Sequence, residues 1–453
     1  MISYIRKLNT VDMLHGSILP SMILFNIPIV ISLIFQQLYN TIDTVLVGHF
    51  LGEEALAAIG AASPFYVLLL SFSFGMGNGL SIVTARSYGS GDKDLLKRSV
   101  FMSVLIASGT SILLTLVGQI GAGIFMQATH TPTEILQDTQ DYILTISRFM
   151  IVMVAYNLCS ALLKAIGNSF MPLVFLMISS LLNILLDILF ITQLGLGVKG
   201  AAIATVIAQG FSAILCLIYI LGKVPMLVPE RRHLIWDKDL FWDMLSLGLS
   251  MGVMNSIVNI GTVILQSAIN LMGSYIIAAH ATARNVFIFT SIPITSAANS
   301  MATFTSQNFG AGQYRRIRQA MKGCILFSLM TALLVTICMI FGGRELIGWI
   351  SGSSHETVLA NGALYVRVMG PFYVFLGTLA CCRVSLQGMG SKLLPLISSG
   401  IEMGIKIAFA LILIPIFHYH AVVLCEPVAW TIMAVELVIA FYRNPYIGTG
   451  NIQ

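Results

Sequence analysis

Apolar residues run through this chain in long blocks broken by short polar stretches, with no sustained alternation of apolar and polar positions. Period-2 alternation is what a transmembrane barrel requires, so a barrel is excluded. With about 20 residues needed per crossing, the blocks predict twelve helices at 16–47, 54–84, 95–120, 134–162, 167–191, 197–222, 242–271, 276–305, 316–341, 356–384, 392–417 and 420–442. The first block is too long for a signal-peptide core and has no small-residue cleavage site, so it reads as a retained helix. The expected fold class is an all-α polytopic membrane protein.

Composition sharpens this. Of 453 residues 57% are hydrophobic and 9% charged, with a mean hydropathy of +0.90, whereas a soluble domain carries roughly a quarter charged residues. The net charge of +5 would suggest a nucleic-acid partner if it formed a patch. Instead, 18 of the 24 Lys and Arg fall at the termini and in alternate loops, among them Arg6, Lys7, Lys93, Lys97, Arg98, Arg231, Arg232, Arg315, Arg316, Arg383 and Lys392. The opposite loops keep Lys199 and Arg344 and carry Glu53, Glu54, Glu134, Asp138 and Glu345. The positive-inside rule then predicts a multi-pass cell-membrane protein with both termini cytoplasmic, its surroundings lipid and no nucleic acid bound. The seven cysteines lie mostly in apolar segments without a C-x-x-C pair, and neither a disulfide nor a metal is assigned to them.

The chain also repeats itself. "YGSGDKDLLKRS" (88–99) matches "FGAGQYRRIRQA" (309–320) at an offset of 221, and "LKAIGNSFMPL" (163–173) matches "LQGMGSKLLPL" (386–396) at 223. Matches in one order at nearly one spacing predict two six-helix lobes, 1–222 and 241–453, joined by a cytoplasmic linker at 223–240. Six is even, so both repeats start on the same side, and the lobes relate by a pseudo-two-fold axis along the membrane normal. The repeat disposes of one enzymatic motif: "GSGD" (89–92) resembles that of intramembrane aspartyl proteases, but Asp92 lies in a basic loop and its repeat partner is Gln313. "HETVL" (355–359) lacks the second His of a zinc-protease motif, and no G-x-S-x-G elbow occurs. The chain is expected not to be an enzyme.

Acids inside apolar runs are expensive, at least about 2.5–3.5 kcal/mol at mid-bilayer, so they face a cavity or a partner. Asp43 and Asp187 are the clearest cases. Asn183 and Asp187 are spaced i, i+4 on one helix face, and Thr205 follows on the next helix among small residues that permit close approach. Together the four can offer oxygens to a hard cation, with Na+ as the metal considered, or share a proton. A purely structural hydrogen-bonded cluster is the rival explanation. Such a cluster should recur in each lobe, yet at offset 221 Asp43 falls on Ile264 and no acid occurs within 245–271. Elsewhere, Glu402 and Lys406 are spaced to neutralise each other on helix 11, and Glu426 aligns with Thr205. Arg148, Arg284 and Arg367 are expected to snorkel or bind carbonyls.

The stretches "QQLYNTIDTVLVGHFLGEEALAAIG", "YGSGD", "FGAGQ" and "CEPVAW" (425–430) resemble the multidrug and toxic compound extrusion (MATE) family, along nearly the whole chain. The resemblance implies a V-shaped pair of lobes with a central cavity. It further implies a secondary antiporter that exports organic, often cationic compounds in exchange for H+ or Na+, with no other cofactor. It places a first-lobe cation site at Asp43, Asn183, Asp187 and Thr205, and a bending proline at Pro28. The second-lobe acids of another branch, on helices 7 and 10, have no counterpart here. Gln36, Asn40 and Glu426 are candidates for the substrate cavity, and a monomer is expected. The alternative is a lipid-linked saccharide flippase of the same superfamily, whose cavity should be strongly cationic. The acids among the candidate cavity residues argue against it.

Overall fold

The computed structural model describes residues 10–448, so the basic pair Arg6 and Lys7 lies outside the described residues. Among these residues the chain forms twelve helical rods and no strand. They are α1 (Ile18–Leu51), α2 (Glu53–Gly89), α3 (Lys93–Ala128), α4 (Thr133–Arg148 and Met150–Ala165), α5 (Phe170–Ile188, continued by a π turn, Leu189–Gln193) and α6 (Gly197–Lys223). The second six are α7 (Lys238–Asn270), α8 (Ser274–Gly310), α9 (Tyr314–Ser351), α10 (Glu356–Gly388), α11 (Leu393–Ala408, with a π turn at Phe409–Leu413 and a last turn, Ile414–Phe417) and α12 (Tyr419–Arg443).

Ten of these rods are long and apolar enough to cross a membrane, and the two halves of α4, bent by 51°, make an eleventh. The bend sits at Phe149, whose φ of −108° and ψ of 27° leave the helical region. The twelfth rod, α8, is the exception in apolarity. It carries Ser296, Ser300, Thr303, Thr305, Ser306, Gln307 and Asn308, all buried. Several have partners: Ser300 donates to Asn26 Oδ1 at 2.9 Å and Thr305 to Ser385 Oγ at 3.2 Å. A helix that hides its polar face inside the protein needs less apolar surface to sit among other helices.

The rods pack as two compact units. Among the described residues, one consists of Ile27–Ser256 with residues 10–12; the other is Met13–Asn26 with residues 257–448. The division therefore falls inside α1 and α7. In the first unit, α2 meets the opening half of α7 at glycines: a Cβ on Gly75 would lie 2.5 Å from the Met251 carbonyl oxygen, and one on Gly79 would lie 2.6 Å from Gly248 Cα. Small residues are what let two helix backbones come this close. The N-terminal segment is fastened by Val11, whose N–H donates to Gly167 O at 2.9 Å; Gly167, at φ +89°, leaves no room there for a side chain. In the second unit Arg316 bonds the carbonyls of Met13 at 3.1 Å and Gly16 at 2.9 Å, tying the approach to α1 against α9.

The linker after α6 is docked onto the start of α3 rather than free. Glu230 pairs with Lys97 and, at 3.0 Å, with Arg232. His233 Nε2 lies 2.9 Å from Asp94 Oδ1. The Lys97 ammonium, followed by Arg232, holds the Glu230 carboxyl below its ordinary value. All seven cysteines are free. Arg383, read above as a loop cation, is a correction: it lies within α10, partly buried, and donates to Ser398 Oγ at 2.9 Å.

Candidate functional site

The first unit brings Asp43, Asn183, Asp187 and Thr205 into one cluster. Asp43 lies on α1 fifteen residues after Pro28, and α1 runs through that proline as one helix. Asn183 and Asp187 occupy one face of α5 and are 1% and 0% exposed. Asp187 is the penultimate residue of regular helix before the π turn at Leu189–Gln193, a widened turn of the kind that recurs at functional sites.

With its amide oriented to satisfy both neighbours, Asn183 Nδ2 donates to Asp187 Oδ2 at 2.8 Å and its Oδ1 accepts the Thr205 N–H at 3.2 Å. The carboxyl groups of Asp43 and Asp187 are within hydrogen-bonding reach of each other. Two carboxylates cannot share that contact without a proton or a cation between them. Each acid also keeps one buried oxygen, Oδ1, that no donor reaches. Among the described residues no ion pair joins either acid to a basic side chain. The cluster thus offers two unsatisfied carboxyl oxygens in an uncompensated site. A small cation or a proton fits such a donor set.

Three residues that sequence reasoning missed complete it. Tyr39, one helical turn before Asp43, lies beside Thr205. Tyr66 lies near Asp43 and stands edge to face with Tyr142, the ring centroids 5.4 Å apart. The i, i+4 spacing of Tyr39 and Asp43 was a readable signal; nothing local marks Tyr66 or Tyr142.

Gln36 and Asn40 are exposed on α1 and are not drawn into the cluster. Glu426 belongs to the second unit, where it is buried against Arg284: Nη1 donates to Oε1 at 2.8 Å and to Oε2 at 3.0 Å. Tyr365 donates to Oε2 at 3.1 Å, and the Arg284 guanidinium also lies 4.7 Å from the Phe287 ring centroid. Arg284, expected to snorkel or bind carbonyls, is therefore corrected to an ion-pair partner. Arg367 does bond a carbonyl, Met339 O at 3.3 Å, and Arg148 is exposed. Glu402 and Lys406 form the expected i, i+4 pair at 2.9 Å.

Comparison with known proteins identifies the family of this duplicated helical chain. The MatE family model matches residues 28–189 and again 251–412, the two matches standing 223 residues apart as the internal repeat does. A probable multidrug resistance protein of Bacillus subtilis, YoeA, is 25% identical over 88% of this chain and 87% of its own length. The multidrug export protein MepA of Staphylococcus haemolyticus is 22% identical over 94% of this chain and 92% of its own. A solved outward-facing multidrug resistance MATE family transporter superposes with a TM-score of 0.88 at 21% identity, covering 95% of this chain and 97% of that one. A duplicated helical fold, matched along both repeats by one family model, is a transporter rather than an enzyme: the chain belongs to the MatE family of membrane transporters.

Proposed function

We propose that this transporter is a secondary antiporter that exports organic, often cationic and amphipathic compounds across the cell membrane in exchange for H+ or Na+. The observation that carries the reading is the pair of buried, donor-free oxygens on Asp43 and Asp187 in a cluster without a basic partner. Similarity to relatives named for multidrug resistance and export supports the cargo class.

In this scheme the exchanged cation enters between Asp43 and Asp187, with Asn183 and Thr205 supplying neutral oxygens. Filling the site relieves the repulsion between two buried acids. That relief changes how α1 packs on α5 and α6, and Pro28, which withholds an N–H from the helix ladder, gives α1 a place to bend. The bend alters the affinity for cargo, and linkage makes the antagonism mutual. Both termini are cytoplasmic in this reading. Single cysteines placed at Ser90 and Ala311 in a cysteine-free background should therefore be shielded from an impermeant thiol reagent added outside intact cells.

The deciding experiment uses purified protein in liposomes loaded with a fluorescent organic cation, driven separately by sodium and proton gradients. Efflux driven by at least one gradient is expected. Equal efflux with and without both gradients would refute antiport.

A further inference from the structure

In the second unit a lysine occupies the place that the coupling site holds in the first. Pro172 and Pro395 open the matching helices α5 and α11, and eleven residues beyond them stand Asn183 and Lys406 respectively. Both helices are regular over that distance. The offset is the 223 residues at which the family model repeats. In the first unit Asn183 joins an α5 acid to a polar group on a neighbouring helix. In the second, Lys406 Nζ lies 2.9 Å from Glu402 Oε1 on α11 and donates to Thr262 Oγ1 on α7 at 3.1 Å. The helix α7 repeats α1, which carries Asp43.

Lys406 and Glu402 are 3% and 7% exposed, so neither charge is solvated. The backbone is shaped to the lysine stem: a Cβ on Gly261 would stand 3.0 Å from Lys406 Cδ. The other charges near Glu402 are more distant from it or held elsewhere. Arg383 reaches it only at 3.9 Å and is bonded to Ser398, while Glu426 is held by Arg284.

We infer that the Lys406 ammonium is a tethered cation, permanently filling in the second unit the site that an exchangeable cation fills in the first. A carboxylate and a hydroxyl from two helices surround the ammonium as they would a free monovalent ion. The chain then exchanges cations at one site instead of two, and removing the lysine side-chain charge opens a latent site for a monovalent cation at Glu402 and Thr262. The inference rests on the first-unit cluster being a cation site, and its test keeps the two apart.

Lys406→Met is compared with Lys406→Met combined with Glu402→Gln, both on an Asp187→Asn background that removes the first-unit acid pair. Melting temperature in detergent is followed against NaCl, ethylammonium chloride and choline chloride at constant ionic strength, and bound radioactive sodium is counted. Lys406→Met should gain a saturable stabilisation by Na+ or ethylammonium that choline does not give, with one more bound ion per chain than its background. The double variant, which removes both charges together, should be indifferent to all three salts. A Lys406→Met protein that responds no differently from its background overturns the inference. So does one that cannot be recovered in any of these salts while the double variant folds. The first-unit reading is judged separately, by whether Asp187→Asn itself loses the cation response of the parent.

Discussion

The acids Glu426 and Glu402 of the second unit and the acids Asp43 and Asp187 of the first are accommodated in opposite ways. In the second, Glu426 has Arg284 at 2.8 Å and Glu402 has Lys406 at 2.9 Å, so each carboxylate meets a fixed cation. In the first, Asp43 and Asp187 meet each other, and each retains a buried oxygen without a donor. A buried acid with its own counter-ion is a finished interaction, and removing one partner damages the protein. A buried acid paired only with another acid leaves room for a proton or a cation between them. Duplicated helices therefore do not carry duplicated side chains: the repeat supplies two similar scaffolds, and the basic partners of Glu426 and Glu402 in one have no equivalent beside Asp43 and Asp187 in the other.

The comparison breaks most completely at the first unit. Asp187→Asn and Asp43→Asn should each insert and fold, and transport against a gradient in liposomes should fall to background. Their substrate affinity should also lose whatever dependence on sodium or pH the parent shows, a coupling of about 5–150-fold in systems of this kind. A variant that pumps at the parental rate with unchanged ion dependence would make the cluster structural. In the second unit the expected damage is to stability. Arg284→Met leaves Glu426 buried and unpaired and should cost about 3–5 kcal/mol in detergent unfolding, most of which the added change Glu426→Gln should restore. A smaller effect is expected at the crossing of α2 and α7. Gly79→Ala puts a methyl where the facing backbone already stands and should cost about 1–3 kcal/mol in the same assay.

The smallest effect concerns the linker. Glu230 is held below its ordinary value of 4.5 by Lys97 and Arg232, so its stabilising contribution is complete above that pH. It is lost as pH falls through the depressed folded value. Glu230→Gln should therefore narrow its stability difference from the parent on acidification, a shift readable as converging melting temperatures below about pH 4.

Much of this was legible in sequence for physical reasons that can be named. Long apolar blocks specify helices because the bilayer leaves the backbone no other partner, and the spacing of Asn183 and Asp187 fixed their shared face. Asp43, 140 and more residues earlier in the chain, was legible only because an acid in an apolar run needs an explanation. Arg284 and Glu426 were each visible, but 142 residues separate them and neither signals the other. The break at Phe149 and the π turns leave no mark that apolar patterning can carry, since both keep the same residues apolar. The block at 276–305 was legible as a helix although polar residues dilute its apolarity, and hydroxyls such as those of Ser300 and Thr305 find partners inside the protein.

The exchange of segments at Asn26 and Ser256 bears on how the protein is made. Chains emerge from the ribosome N-terminus first, and units complete in that order can close as they appear. Here the first unit must wait. Gly75 and Gly79 have no facing backbone until Met251 and Gly248 have been synthesised, well past the linker. A fragment cut at the linker would carry α1 to α6 with an apolar seam on α2 uncovered, ready to recruit a chaperone or to aggregate. The opening turns of α1 wait longer still, for α8 and α9. Quality control in the membrane would thus read completion of α7 as the first point at which the first unit can be judged folded.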